Sequence, residues 1–86
     1  MGDLLREEII DILNSANEPL ETKEIEAILK QKIRTEETTR TKIFYRLNML
    51  RGEGKIKGKF SGPGKGVWIW WGNSAFFRNN NEVIRH

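Results

Sequence analysis

The spacing of apolar residues changes once along this chain of 86 residues, and the change restricts the folds open to it. Up to Leu50 the apolar residues recur every three or four positions, as they do along one face of an α-helix. From Lys55 to Phe60 charged residues alternate with apolar residues or glycine, as they do along a strand with one buried face. The pattern therefore predicts an α+β fold of three helices and a C-terminal two-stranded hairpin.

Two helices are predicted in the first part of the chain. The first covers "DLLREEIIDILNSAN", where Asp3 can accept hydrogen bonds from the exposed amides of the first turn. Pro19 ends this region, because proline fixes its own φ and disfavours a helical conformation at the residue before it. The second helix is "TKEIEAILKQK", with Thr22 predicted as its N-cap. Leu20, just before it, can join a short third strand.

The third helix is predicted over "RTKIFYRLNMLRGEG". Its start stays open, because three threonines compete for the N-cap: Thr35, Thr38 and Thr39. The residues expected to face the core are Ile43, Leu47 and Leu50, with Phe44 at the flank. Gly52 or Gly54 is expected to end the helix, since glycine takes the left-handed conformation without a steric penalty.

Charge is divided unevenly along the chain. Residues 1–37 hold five Lys or Arg against ten Asp or Glu, a balance of −5, whereas residues 38–86 hold ten against two, a balance of +8. A positive electrostatic field that arises mainly from one half of a protein is typical of a polyanion-binding protein. The alternative is that the basic residues only solvate a hairpin.

The composition argues against catalysis and against a metal or cofactor site. The chain has no cysteine, and its single histidine is the terminal His86. No serine has a plausible base, and "GPGKG" lacks the spacing of a phosphate-binding loop. We expect no enzyme activity, no cofactor and no small-molecule ligand. No apolar run is long enough to span a membrane and the N-terminus is acidic, so a cytoplasmic location is expected.

The outer face of the third helix is predicted to lack carboxylates. If the three apolar residues face the core, a step of about 100° per residue places Tyr45 and its neighbours on the opposite side. An α-helix fits the major groove of DNA, where such side chains contact phosphates and base edges. The residues predicted to contact DNA from this region are Thr38, Thr39, Arg40, Thr41, Lys42, Tyr45, Arg46 and Met49. The alternative is an ordinary solvated face.

The hairpin adds four lysines and three tryptophans. Lys55, Lys57 and Lys59 are expected on one strand face, about 6.6 Å apart, where they could follow a phosphate backbone. Lys65, at the tip of the turn "SGPGKG", could reach the adjacent minor groove. The alternative is that the lysines protect an edge strand from aggregation. Trp68 and Trp70 share one face of their strand, where core packing is the usual outcome and a stacking platform for unpaired bases is the alternative.

The series "PLETKEIEAIL … TTRTKIFYRLNMLRGEGKIKG … GKGVWIWW" resembles a winged helix-turn-helix DNA-binding domain of the small, stand-alone prokaryotic or archaeal type. The resemblance covers roughly residues 4 to 72 by matched elements. It implies that the third helix is the recognition helix, that the hairpin is the wing, and that the protein regulates transcription. The connection between helices two and three is longer than in the simplest members of this family.

These observations predict one domain over residues 1–74 and a tail over residues 75–86. The predicted partner is double-stranded DNA. A homodimer is plausible through helix one or the tail around Phe76 and Phe77, because a two-fold operator needs two modules. Two alternatives stay open. One is a protein-interaction module with Trp68, Trp70 or Phe77 as its hot spots, and the other binds single strands or RNA through the hairpin.

Overall fold

The computed structural model describes residues 3–33 and 38–73 of the chain. In chain order the elements are α1 (Leu4–Ser15), β1 (Leu20–Glu21), α2 (Thr22–Lys32), α3 (Arg40–Gly52), β2 (Ile56–Ser61) and β3 (Val67–Gly72). The predicted α+β class, with three helices and a C-terminal hairpin, is confirmed. The predicted third strand at Leu20 is also present, as β1. The predicted tail, residues 75–86, lies outside the described residues.

The start of α1 is confirmed and the start of α2 is corrected. The Asp3 carboxylate accepts hydrogen bonds from the backbone N–H groups of Leu5 and Arg6 and so caps α1. The N-cap of α2 is Glu21, not Thr22; the Glu24 carboxylate accepts from the Glu21 backbone N–H at 2.7 Å. Thr22 is helical instead, and its hydroxyl accepts a hydrogen bond from the Trp70 indole at 2.9 Å. A tertiary contact therefore uses the hydroxyl that the sequence assigned to a local cap.

The ends of α3 identify which of the competing residues cap it. Thr39 is the N-cap, and its hydroxyl accepts from the Lys42 backbone N–H at 3.3 Å. After the last helical turn Gly54 takes φ +79°, a left-handed conformation that favours glycine. The Lys55 backbone N–H then donates to the Leu50 carbonyl at 2.9 Å, which uses one of the free carbonyls at the helix end. The chain turns here from the helix into the hairpin.

The sheet is antiparallel, with strand order β1-β3-β2. Its inner face packs on the helices: Ile56 and Trp70 are buried, and Leu20 packs against the same core. Gly58 lies directly opposite Trp70, and a Cβ built at Gly58 would stand 2.4 Å from the indole ring. The absence of a side chain at this position therefore lets the indole lie across β2.

The core lies between the three helices and the inner sheet face. Its buried members are Leu5, Ile9, Ile12, Leu13, Ile25, Leu29, Ile43, Leu47, Leu50, Ile56 and Trp70. The predicted inward residues of α3 are among them, and Phe44 at the flank meets Trp70 edge to face at 5.9 Å. In residues 3–33 and 38–73 no helix is long and apolar enough to cross a membrane.

Candidate nucleic-acid interface

The outer face of α3 is exposed. Tyr45 keeps 63% of its surface accessible and Met49 40%, and Thr41 and Lys42 are exposed beside them. The three apolar residues on the opposite side are fully buried. The helix contains no Asp or Glu from Arg40 to Gly52. The outer face of α3, which was predicted to lack carboxylates, is therefore present on the outside of the molecule.

Thr38 is a correction to the predicted interface. Only 5% of its surface is accessible, so its side chain is not on the outer face. The prediction extended the angular spacing of a helix back to residue 38, but α3 begins at Arg40 and residue 38 is not helical. The cap Thr39 and the first helical residue Arg40 are both exposed, as predicted.

The two arginines of the predicted interface are held in ion pairs. Arg46 donates to the Asp3 carboxylate at 3.0 Å, and Arg40 forms a short contact with Glu26. Partial burial raises the pKa of Asp3, but the hydrogen bonds from Arg46 and from backbone N–H groups outweigh it and leave that pKa below its ordinary value. Hydrogen bonds from Arg40 and then from Lys30 lower the pKa of Glu26. A phosphate would have to compete with these carboxylates, so contact through either arginine stays a prediction.

Strand register decides where the hairpin lysines lie. Lys57 stands opposite Trp71 and Lys59 opposite Ile69, so these side chains share the outer sheet face, away from the core. Lys55 is exposed but precedes β2, so the predicted row of three lysines on one strand holds for two of them. Lys65 is exposed in the turn of residues 62–66. The lysines of β2 therefore project from the sheet face opposite the one that packs on α3.

Positive charge is concentrated in this half of the molecule. The basic residues among 38–73 are Arg40, Lys42, Arg46, Arg51, Lys55, Lys57, Lys59 and Lys65, and Glu53 is the single acidic residue, a balance of +7. Within the part of the chain that the structure describes, Lys57, Lys59 and Lys65 make no ion pair. Lys55 lies near Glu53, where Arg6 and then Lys55 lower the pKa of the Glu53 carboxyl. The three lysines carry charge that nothing described in the protein neutralises.

The tryptophans of the inner face form part of the packing. Trp70 is fully buried, so the alternative in which it offers a stacking surface or a docking hot spot is wrong for this residue. Trp68 is half-buried and stacks on Trp70, with ring centroids 5.1 Å apart. Phe60 meets Trp68 edge to face, and Phe77 lies outside the described residues. The Trp68 ring is therefore partly covered by Trp70 and Phe60.

Arg51 is a candidate that the sequence reading missed. Its guanidinium lies 5.1 Å from the centroid of the Trp68 ring, which is a cation–π distance. It lies seven residues after Phe44, so both belong to the flank of α3 that faces the hairpin. That spacing could have identified it, had the flank been traced beyond Phe44. The contact keeps an exposed cation at the junction between α3 and the hairpin.

Arg51 also lines an open hollow of about 590 Å³ where α3 ends and the hairpin begins. We call this the junction hollow; its lining residues are Arg51, Gly54, Ile56, Lys57, Gly58, Trp71 and Asn73. Among residues 3–33 and 38–73 there is no group of His, Cys, Asp and Glu that could hold a metal ion.

A search of protein-family models, of curated proteins and of solved structures finds no match to this chain.

Proposed function

We propose that this chain is a winged helix domain that binds duplex DNA and regulates transcription, with α3 in the major groove and the hairpin as the wing. The observation that carries the proposal is the outer face of α3. It exposes Thr41, Lys42, Tyr45 and Met49, and the helix has no carboxylate that would repel phosphate. A helix of this kind fits the major groove, where hydroxyl, ammonium and apolar groups can meet phosphates and base edges.

The hairpin supports the proposal through its charge. Lys55 precedes β2 and Lys65 follows it, in the turn before β3, and both are exposed cations. Contacts of lysine with phosphate give affinity and salt dependence but little sequence information. Base reading is therefore assigned to α3, and the wing adds binding energy. A cytoplasmic location and a homodimer both stay predictions from the sequence.

The test is selection of bound duplexes from a random pool, followed by a salt titration of the winning site. We expect the logarithm of affinity to fall steeply with the logarithm of salt concentration. Lys42→Gln should lower that slope by about 1, as expected when one phosphate contact is lost. Tyr45→Ala should weaken binding by about 1 kcal/mol or more, roughly the net value of one hydrogen bond.

The matched control is Lys30→Gln on α2, which removes the same charge from a lysine that pairs with Glu26 at 3.0 Å. It should leave DNA affinity nearly unchanged. Recovery of no enriched site would count against a specific regulator. Binding that ignores salt and survives Lys42→Gln and Tyr45→Ala would favour the protein-interaction alternative instead.

A further inference from the structure

The junction hollow brings together groups that the duplex-binding face does not use. It lies where Gly54 turns the chain from α3 into β2. Gly54 and Gly58 line the hollow with backbone atoms alone. Its functional side chains come from three places: Arg51 on α3, Lys57 on β2, and Trp71 and Asn73 at the end of β3. The volume, about 590 Å³, falls in the range of small-ligand sites.

Two cations of the hollow suit a phosphate group. The Arg51 guanidinium is held over Trp68, and a planar guanidinium can donate two parallel hydrogen bonds to phosphate oxygens. Lys57 is exposed and makes no ion pair in the described residues. Lys59 follows on the same face of β2, about 6.6 Å further on. Positive charge thus continues out of the hollow along the strand.

Trp71 and Asn73 suit a nucleobase. Trp71 is half-buried and stands directly opposite Lys57 on the outer sheet face. An aromatic ring beside lysines is the usual platform for the bases of single strands. The Asn73 side-chain amide donates to the Gly54 carbonyl at 2.7 Å, which leaves its oxygen to accept from a base. In a duplex the base faces are stacked on one another, so only an unpaired base can present its face to Trp71.

We propose that the junction hollow binds a nucleotide of single-stranded DNA, with its phosphate on Arg51 and Lys57, its base on Trp71, and Asn73 at the base edge. The inference rests on the proposed function in one respect: α3 would hold the duplex from which the single strand leaves. The DNA expected to bind most tightly is then a duplex with a single-stranded extension. This site differs from the stacking platform that was the alternative for Trp68 and Trp70, since Trp70 is fully buried and the half-buried Trp68 stacks on it.

Fluorescence anisotropy with three labelled probes tests the inference: a blunt duplex carrying the selected site, the same duplex with a short oligothymidine extension, and the oligothymidine alone. We expect the extension to raise affinity about tenfold, near the lower part of the range for one stacked base. The oligothymidine alone should bind weakly and quench tryptophan emission. Trp71→Leu should remove most of the gain and leave affinity for the blunt duplex unchanged. Lys57→Gln should also remove most of the gain, measured relative to that variant's own affinity for the blunt duplex. Lys23→Gln, the charge-matched control, should retain the whole gain.

Two results would overturn the inference: an extension that adds no affinity, or a gain that persists in both Trp71→Leu and Lys57→Gln. If Trp71→Leu proves unstable to urea, Lys57→Gln decides alone, because Lys57 is exposed and makes no ion pair. Oligothymidine binding that both variants abolish, in a protein that ignores every blunt duplex, would refute the duplex proposal and keep this one. Binding to blunt duplexes with no response to oligothymidine or to the extension would refute this inference and leave the duplex proposal standing.

Discussion

In residues 3–33, the helical body, each of the four basic side chains lies within ion-pair distance of a carboxylate. The pairs are Arg6–Glu53, Lys23–Glu21, Lys30–Glu26 and Lys32–Glu8. In residues 55–72, the hairpin and its approach, Lys57, Lys59 and Lys65 have no such partner among the described residues. Both regions are rich in charge, but only in the body does every basic side chain have a carboxylate partner.

The difference indicates what each set of charges is for. Exposed ion pairs contribute little stability each, but in the body they neutralise surface charge and connect α1 to α2 and to the end of α3. Lys57, Lys59 and Lys65 make no such pairs in the described residues, so we expect them to be available to an anionic partner. Lys57 and Lys59 also stand on β2, an edge strand, where lysines hinder unwanted strand pairing. The two roles are compatible, and binding measurements separate them.

The largest expected effect tests whether the inner face of the hairpin belongs to the body. Trp70→Ala removes a fully buried indole that contacts Phe44 and donates to Thr22. Loss of a buried tryptophan costs about 3–5 kcal/mol, which would unfold much of a domain of this size. Urea denaturation measures the change. Phe60→Ala, at a ring that is 56% exposed, is the control and should cost much less. Equal losses would mean that the hairpin packs as a separate unit.

A glycine pair sharpens the same comparison with a smaller effect. Gly58→Ala places a methyl group 2.4 Å from the Trp70 ring, so the indole or the strand must shift, at about 1–3 kcal/mol. Gly52→Ala lies at the end of α3 with nothing within 4 Å, and alanine there should stabilise by about 0.5–1 kcal/mol through helix propensity. Thermal or urea unfolding should therefore give opposite signs. A neutral Gly58→Ala would show that the indole is free to move.

Charge removal tests the partner role of the hairpin directly. The double variant Lys55→Gln and Lys65→Gln should lower the slope of log affinity against log salt by about 2 and weaken duplex binding on the order of tenfold. The same charge is removed from the body by Lys23→Gln with Lys30→Gln, where both lysines pair with glutamates. That control should lose little affinity. If the two double variants behave alike, only net charge matters and the wing has no place in the complex.

The smallest effect concerns acid. The pKa values of Asp3, Glu26 and Glu53 are lowered in the folded protein, so the unfolded chain binds more protons as pH falls. The stability they contribute is present at neutral pH. It is lost as pH falls from the ordinary values, 3.8 for Asp and 4.5 for Glu, through the lower folded values. Urea titrations between pH 7 and pH 3 should show this loss, reduced in Glu26→Gln. An unchanged pH profile in Glu26→Gln would contradict it.

Much of the fold could be predicted because its signals are local. The spacing of Ile43, Leu47 and Leu50 marks a buried helix face, and Asp3 caps α1 through its own neighbours in the chain. A left-handed glycine at the end of α3 could be predicted because this conformation favours one residue type, but the choice of Gly54 over Gly52 came from the structure. The outer face of α3 followed from the same spacing, apart from Thr38, which precedes the helix.

The rest of the candidate site depends on contacts between distant residues. The sequence alone determined the element types, the acid-free face of α3 and the uneven charge, since these follow from periodicity and composition. Only the tertiary structure decided that Lys57 stands opposite Trp71 and Lys59 opposite Ile69, that Arg51 lies on Trp68 and that Trp71 lines a hollow. The physical reason is that strand register and side-chain packing are set by long-range pairing, so one strand pattern fits several arrangements of the same residues.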